Sequence, residues 1–109
     1  MRASGLDVHR SFAQVAVLDG TKIVEESRLD LEHDAVVAFG RGLKPDDEVV
    51  LEATGNTAAI VRLLKPFVAR VVIANPLQVR AIAHARVKTD KVDAAILAKL
   101  YASGFLPEV

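Results

Sequence analysis

Asp7 in GLDVH, Glu52 in VLEATG, and Asp90 with Asp93 in KTDKVDA are carboxylates placed where a strand would end or a helix would begin. Folding that gathered all four would set like charges against one another, at about 1 to 4 kcal/mol per close pair between water-like and surface dielectrics. A divalent cation removes that repulsion. Carboxylate oxygens are hard ligands suited to Mg2+ or Mn2+, and such ions at a phosphodiester activate a nucleophile and stabilise the departing oxygen. The chemistry suggested is metal-dependent work on nucleic acid. Plainer readings exist for each residue taken alone. Asp7 and Glu52 could be ordinary strand-end acids, and Asp90 and Asp93 could complement the dipole of a helix N-terminus. Read as a functional pair, their i, i+3 spacing puts both on one helix face, where they share a cation.

Composition bounds what can surround these residues. A chain of 109 residues holds one domain with a modest core, and a second domain is expected to be missing. A hydrophobic fraction of 51% and a charged fraction of 26% are those of a soluble globular protein. No stretch reaches the roughly 18 apolar residues of a membrane span, and MRASGLDVHR lacks the apolar run of a signal peptide, so cytoplasmic residence without a membrane partner is expected. The absence of cysteine excludes disulfides, thiolate metal sites and cysteine nucleophiles.

Fourteen basic residues balance fourteen acidic ones, which argues against bulk electrostatic gripping of nucleic acid. The distribution is uneven, however. Residues 78–91 carry Arg80, Arg86, Lys88 and Lys91 against the single acid Asp90, whereas Glu25, Glu26, Asp30, Glu32 and Asp34 crowd around Arg28. A basic patch beside a metal site is what phosphate recognition needs. Solvated surface faces would give the same runs.

The elements that must position these groups can be read from periodicity. LDV and FAQVAVL read as strands parted by the polar HRS turn, and Asp19-Gly20 marks a tight hairpin into TKIVEESRL. Val36, Val37, Phe39 and Leu43 recur at helical spacing, with Asp30 as cap and with Gly40 and Gly42 weakening the C-terminal half. EVVLEA and RVVIANP read as buried strands, separated by a helix over TAAIVRLLKPFV that Pro66 should end or kink. From Leu77 onward the chain is helical, with a break near Lys88 and Thr89, Thr89 capping DKVDAAILAKLYAS, and Gly104 ending it. The order βββαβαβα predicts an α/β fold, a mixed five-stranded sheet with helices on both faces. If the first and fourth strands pair at its centre, Asp7 and Glu52 meet in a crevice where open α/β sheets bind ligands.

Other polar residues carry weaker signals. Thr54, Gly55 and Asn56 offer either an anion site at a helix start or simple capping. His9, His33 and His84 lack metal-ligand spacing and read as surface or capping residues, and Ser4, Ser11, Ser27 and Ser103 have no nucleophile context. Leu100, Tyr101, Phe105 and Leu106 are the candidate exposed apolar patch, and self-association through them is expected.

GLDVH before an antiparallel strand, LEATGN, VVIANPLQVRAIA and KTDKVDAAILAKL, in this order and over nearly the whole chain, resemble the N-terminal domain of the DEDD-type insertion-sequence transposases. The resemblance implies a RuvC-like, ribonuclease H-like fold over residues 1–109. It also implies that Asp7, Glu52, Asp90 and Asp93 form the family's catalytic, metal-binding tetrad for Mg2+ (or Mn2+). Members of the family are DNA recombinases that excise and insert mobile elements, some guided by a structured bridge RNA. DNA, a guide RNA, a second copy of the chain and a C-terminal transposase domain bearing a serine are therefore the implied partners. With that C-terminal domain expected to be missing, the resemblance implies a catalytic domain not active alone. Two ions would be held by the tetrad about 3.5 to 4 Å apart with the scissile phosphate between them, and Arg80, Arg86, Lys88 and Lys91 would contact the nucleic-acid backbone. Two other classes fit less of the chain. An actin-like phosphotransferase would need a glycine-rich first turn where HRS stands, and a non-catalytic nucleic-acid-binding or dimerisation module would make the acids structural.

Overall fold

In a computed structural model, which describes residues 1–89 and 91–106, three antiparallel strands open the chain: β1 (Arg2–Val8), β2 (Phe12–Asp19) and β3 (Lys22–Asp30). The two hairpins follow from local chemistry. Arg10 and Ser11 connect β1 to β2 beneath a His9 N–H to Phe12 carbonyl bond of 2.8 Å, and Gly20 takes φ +64° in the next turn, a conformation that suits a residue without Cβ. Helix α1 (His33–Arg41) leads to β4 (Glu48–Glu52), and α2 (Thr57–Leu64) runs into a 3-10 turn at Lys65–Phe67 containing Pro66. Strand β5 (Arg70–Ala74), α3 (Pro76–Val87) and α4 (Ala94–Ala102) complete the order.

The sheet order is β3-β2-β1-β4-β5, with β1 antiparallel to β2 and parallel to β4. The pairing of first and fourth strands at the centre is as expected. Each face of the sheet has its own core. Leu6, Val15, Val49 and Leu51 point to α1 and α2 and pack with Val36, Ile60 and Leu64. Val50, Val72 and Ala74 point the other way, against Val79 and Ala83 of α3 and Leu97 and Leu100 of α4. Period-two alternation therefore puts Asp7 and Glu52 on the α3/α4 face.

Several expected caps are corrected. Asp30 ends β3, and α1 begins after Glu32, whose side chain makes no cap bond. Gly40 is buried because Phe67 lies where its Cβ would be, so it serves the α1 to 3-10 packing. The expected break in the helical stretch from Leu77 onward is present, α3 ending at Lys88, the one non-glycine residue with positive φ (63°) among the described residues. The apolar patch expected at the end of the chain is largely internal. Leu100 is buried, Tyr101 and Leu106 pack on the α3/α4 core, and Phe105 carries the Arg86 guanidinium 4.4 Å above its ring.

Two contacts anchor α4. Gly5 of β1 lies directly beneath the Ala94 carbonyl, an approach that leaves no room for a side chain. At the other end, the Tyr101 hydroxyl donates to Glu48 Oε1 on β4. Burial first, and then this bond and the Glu48 charge, push the Tyr101 hydroxyl up to about 12.

Candidate metal and nucleic-acid site

Leu6 pairs with Leu51 across the parallel β1–β4 ladder, so the next residues, Asp7 and Glu52, are neighbours at the C-terminal ends of the two strands. Both are half-buried. The Glu52 carboxyl is raised above its ordinary range, first by burial, then by the Asp7 charge, with Arg80 on α3 pulling the other way. A carboxylate pair that is partly desolvated and only partly compensated by a cationic side chain suits a hard divalent cation.

Loops around the pair are tied down by hydroxyl and amide groups. The buried Thr57 hydroxyl donates to the Glu52 carbonyl (3.3 Å) and accepts from the Thr54 N–H (2.6 Å). Asn56 caps nothing through its side chain; its amide instead reaches the Arg10 carbonyl at 3.5 Å, joining the loop after Glu52 to the hairpin after Asp7. Just past the end of β5, Asn75 Oδ1 accepts from the N–H groups of Leu77 and Gln78 and starts α3, which carries Arg80.

The local setting of Asp93 differs from the expectation. Asp93 does not lie on a helix face. It is the N-cap of α4 in extended conformation, its Oδ1 accepting from the Ile96 N–H at 2.9 Å. Thr89 was the expected cap, but its hydroxyl takes the Lys91 N–H at 3.1 Å instead. The physical reason is that the left-handed Lys88 ends α3 and α4 begins only at Ala94, so Asp93 precedes the helix rather than lying within it. Asp90 itself lies outside the described residues.

Asp93 precedes α4 at the end of the sheet where β1 ends. Ala94 sits over Gly5, and α4 runs back until Lys99, Ala102 and Ser103 line a groove with Leu18, Gly20 and Thr21 at the far end. Its N-terminus therefore points towards Asp7, two residues beyond Gly5 on the same strand face. Among the described residues no three His, Cys, Asp or Glu side chains already converge closely enough to hold an ion. The donors that fit a divalent cation are the adjacent Asp7 and Glu52, with one Asp93 oxygen engaged in capping.

Of the four basic residues, Arg80 acts on Glu52, Arg86 covers Phe105, and Lys88 and Lys91 are exposed near the α3–α4 connection. Sequence reasoning missed His9. Its Nε2 stands 3.3 Å from Asp7 Oδ2, and its ring stacks on Phe12 with centroids 4.6 Å apart and planes at 17°. The available signal was its position, two residues after Asp7 and three before an aromatic, across a tight turn.

A family model described as a transposase, of the DEDD type, matches residues 4–108. The search of curated proteins returned no match. Among solved structures, the chain is similar to the Thermus thermophilus RuvC structure, at 11% identity over 100% of both chains with a TM-score of 0.57. At that identity the likeness shows the fold alone, which is RNase H-like.

Proposed function

We propose a function from one established premise: this chain belongs to the DEDD transposase family. Its reading is a DNA transposase domain in which Asp7, Glu52, Asp90 and Asp93 hold Mg2+ or Mn2+ for strand cleavage and exchange during movement of an insertion sequence. The observation that carries the finer reading is the juxtaposition of Asp7 and Glu52 on adjacent parallel strands, with the Glu52 carboxyl raised by burial and by Asp7. Nothing in the packing of the sheet requires two acids there.

When bound, divalent ions would supply activation of the attacking oxygen and stabilisation of the leaving oxygen. The remaining work falls to the side chains. Asp7 and Glu52 provide the rigid half of the ligand set, because central strands hold them. Asp93 contributes the oxygen not used in capping, and Asp90 completes the set. Arg80 moderates the charge at Glu52 and is positioned to meet a phosphate, with Lys88 and Lys91 extending the contact along the backbone. Arg86, stacked on Phe105, is the least available of the four. A bridge RNA, a second copy of the chain and a C-terminal domain carrying a nucleophilic serine are the further parts that this family reading supplies.

The test is calorimetric titration of Mn2+ into the chain and into Asp7→Asn, with and without a short branched DNA. Saturable binding that requires Asp7 and tightens with DNA supports the reading. Equal heats for the two proteins in both conditions would overturn it.

A further inference from the structure

We propose that His9, Phe12 and Arg28 form a stacking platform for an unpaired nucleobase of the DNA strand whose phosphate lies at Asp7. The proposal rests on the reading of the carboxylates as a nucleic-acid site and names how that site would grip its strand.

The three side chains come from consecutive parts of the antiparallel sheet: His9 just after β1, Phe12 at the start of β2, and Arg28 within β3. The His9 and Phe12 rings are nearly parallel at 4.6 Å, and the Arg28 guanidinium carbon stands 3.9 Å over the Phe12 ring. Neither separation leaves room for a third group between, so the two partners occupy opposite faces of Phe12 and the order is His9, Phe12, Arg28. Both ends of this column are open, with the His9 side chain 47% and the Arg28 side chain 60% exposed. Aromatic and guanidinium planes accept any base, because every base presents a π-face.

The column is joined to the carboxylates. His9 Nε2 lies 3.3 Å from Asp7 Oδ2, so a base laid on the open face of His9 belongs to a nucleotide next to the phosphate at Asp7. Fastening of β3 does not account for His9, since β3 is already paired with β2 from Phe12–Asp30 through Asp19–Lys22. DNA is favoured over RNA because the strand at Asp7 is the one that the proposed reaction cuts.

The test uses single-stranded DNA containing 2-aminopurine, whose fluorescence is quenched by stacking, titrated with the chain in Mn2+ buffer. His9→Ala should weaken binding by about 5-fold or more and abolish the quenching. His9→Phe keeps the ring, loses the contact with Asp7, and should restore both. Melting curves of the two variants check that each is folded. Unchanged binding by His9→Ala, or His9→Phe as weak as His9→Ala, overturns the platform while leaving the metal-site reading standing. Stronger quenching of the matching oligoribonucleotide overturns its assignment to DNA. Failure of the native chain to bind either oligonucleotide overturns the platform and the nucleic-acid reading together.

Discussion

At the residue scale, stability and function pull Glu52 in opposite directions. Its carboxyl binds a proton more tightly in the folded chain than in the unfolded one, because burial and then the Asp7 charge outweigh the opposing pull of Arg80. Stability from this group is therefore fullest below its ordinary range and declines as the pH rises through the raised value. Glu52→Gln should accordingly raise the melting temperature at pH 7 slightly, by about 1 to 3 °C once solvent screening is allowed for, while lowering Mn2+ affinity at least tenfold. A thermal melt beside a titration checks both signs, and a lower melting temperature would refute the first. Asp93 has two separable jobs. Asparagine caps helices as well as aspartate does, so Asp93→Asn should keep the fold and weaken Mn2+ binding. Asp93→Ala should also cost about 1 kcal/mol of stability through the lost bond to Ile96. Urea unfolding distinguishes the two variants.

At the element scale, the fit of α4 on β1 determines where the second half of the site can lie. A methyl group at Gly5 would collide with the Ala94 carbonyl, and neither a central strand nor a helix start can retreat. Gly5→Ala should cost about 3 kcal/mol or more, measured by urea denaturation, and any surviving fold should have a displaced Asp93. The far end of the same helix has its own readout. Tyr101 is the single tyrosine of a chain without tryptophan, and its hydroxyl is pushed up to about 12. A group raised in this way supports folding at pH below its unfolded value near 10 and loses that support as the pH climbs through about 12. Absorbance at alkaline pH should show the phenolate emerging near 12 in the folded chain; emergence near 10 would mean that the bond to Glu48 is not made. Much of this scale was legible in the sequence. Short apolar runs marked EVVLE and RVVIA as strands buried on both faces, and the Asp19-Gly20 pair announced a hairpin. What could not be read were features depending on contacts distant along the chain. The break near Lys88 was legible, but the start of α4 at Ala94, seated on Gly5, was not, and with it the place of Asp93 as a cap rather than a residue within the helix. Asp7 and Glu52 were legible as neighbours because strand pairing is strongly constrained, whereas His9 was not, because its stack on Phe12 depends on a turn geometry.

At the scale of the whole molecule, zero net charge conceals a polarity. Asp7, Glu52 and the start of α4 stand at one end of the sheet, and the Gly20 turn with the end of α4 at the other. Engagement of Arg80, Arg86, Lys88 and Lys91 by duplex DNA should give a slope of about −3 to −4 in log affinity against log salt. Removing Arg86, already committed to Phe105, should change that slope least, whereas a slope near zero would show that the basic residues make no phosphate contact. The remote Gly20 turn has a practical use as well. Since the chain contains no cysteine, one introduced at Thr21 would be a unique attachment point for a nitroxide. The ladder pairs Arg2 with Asp19 and Asp7 with Gln14, so the label would stand roughly 15 to 20 Å from a paramagnetic ion held at Asp7. That separation is well suited to magnetic relaxation, so the hairpin farthest from the chemistry becomes the ruler by which the seat of the ion is located.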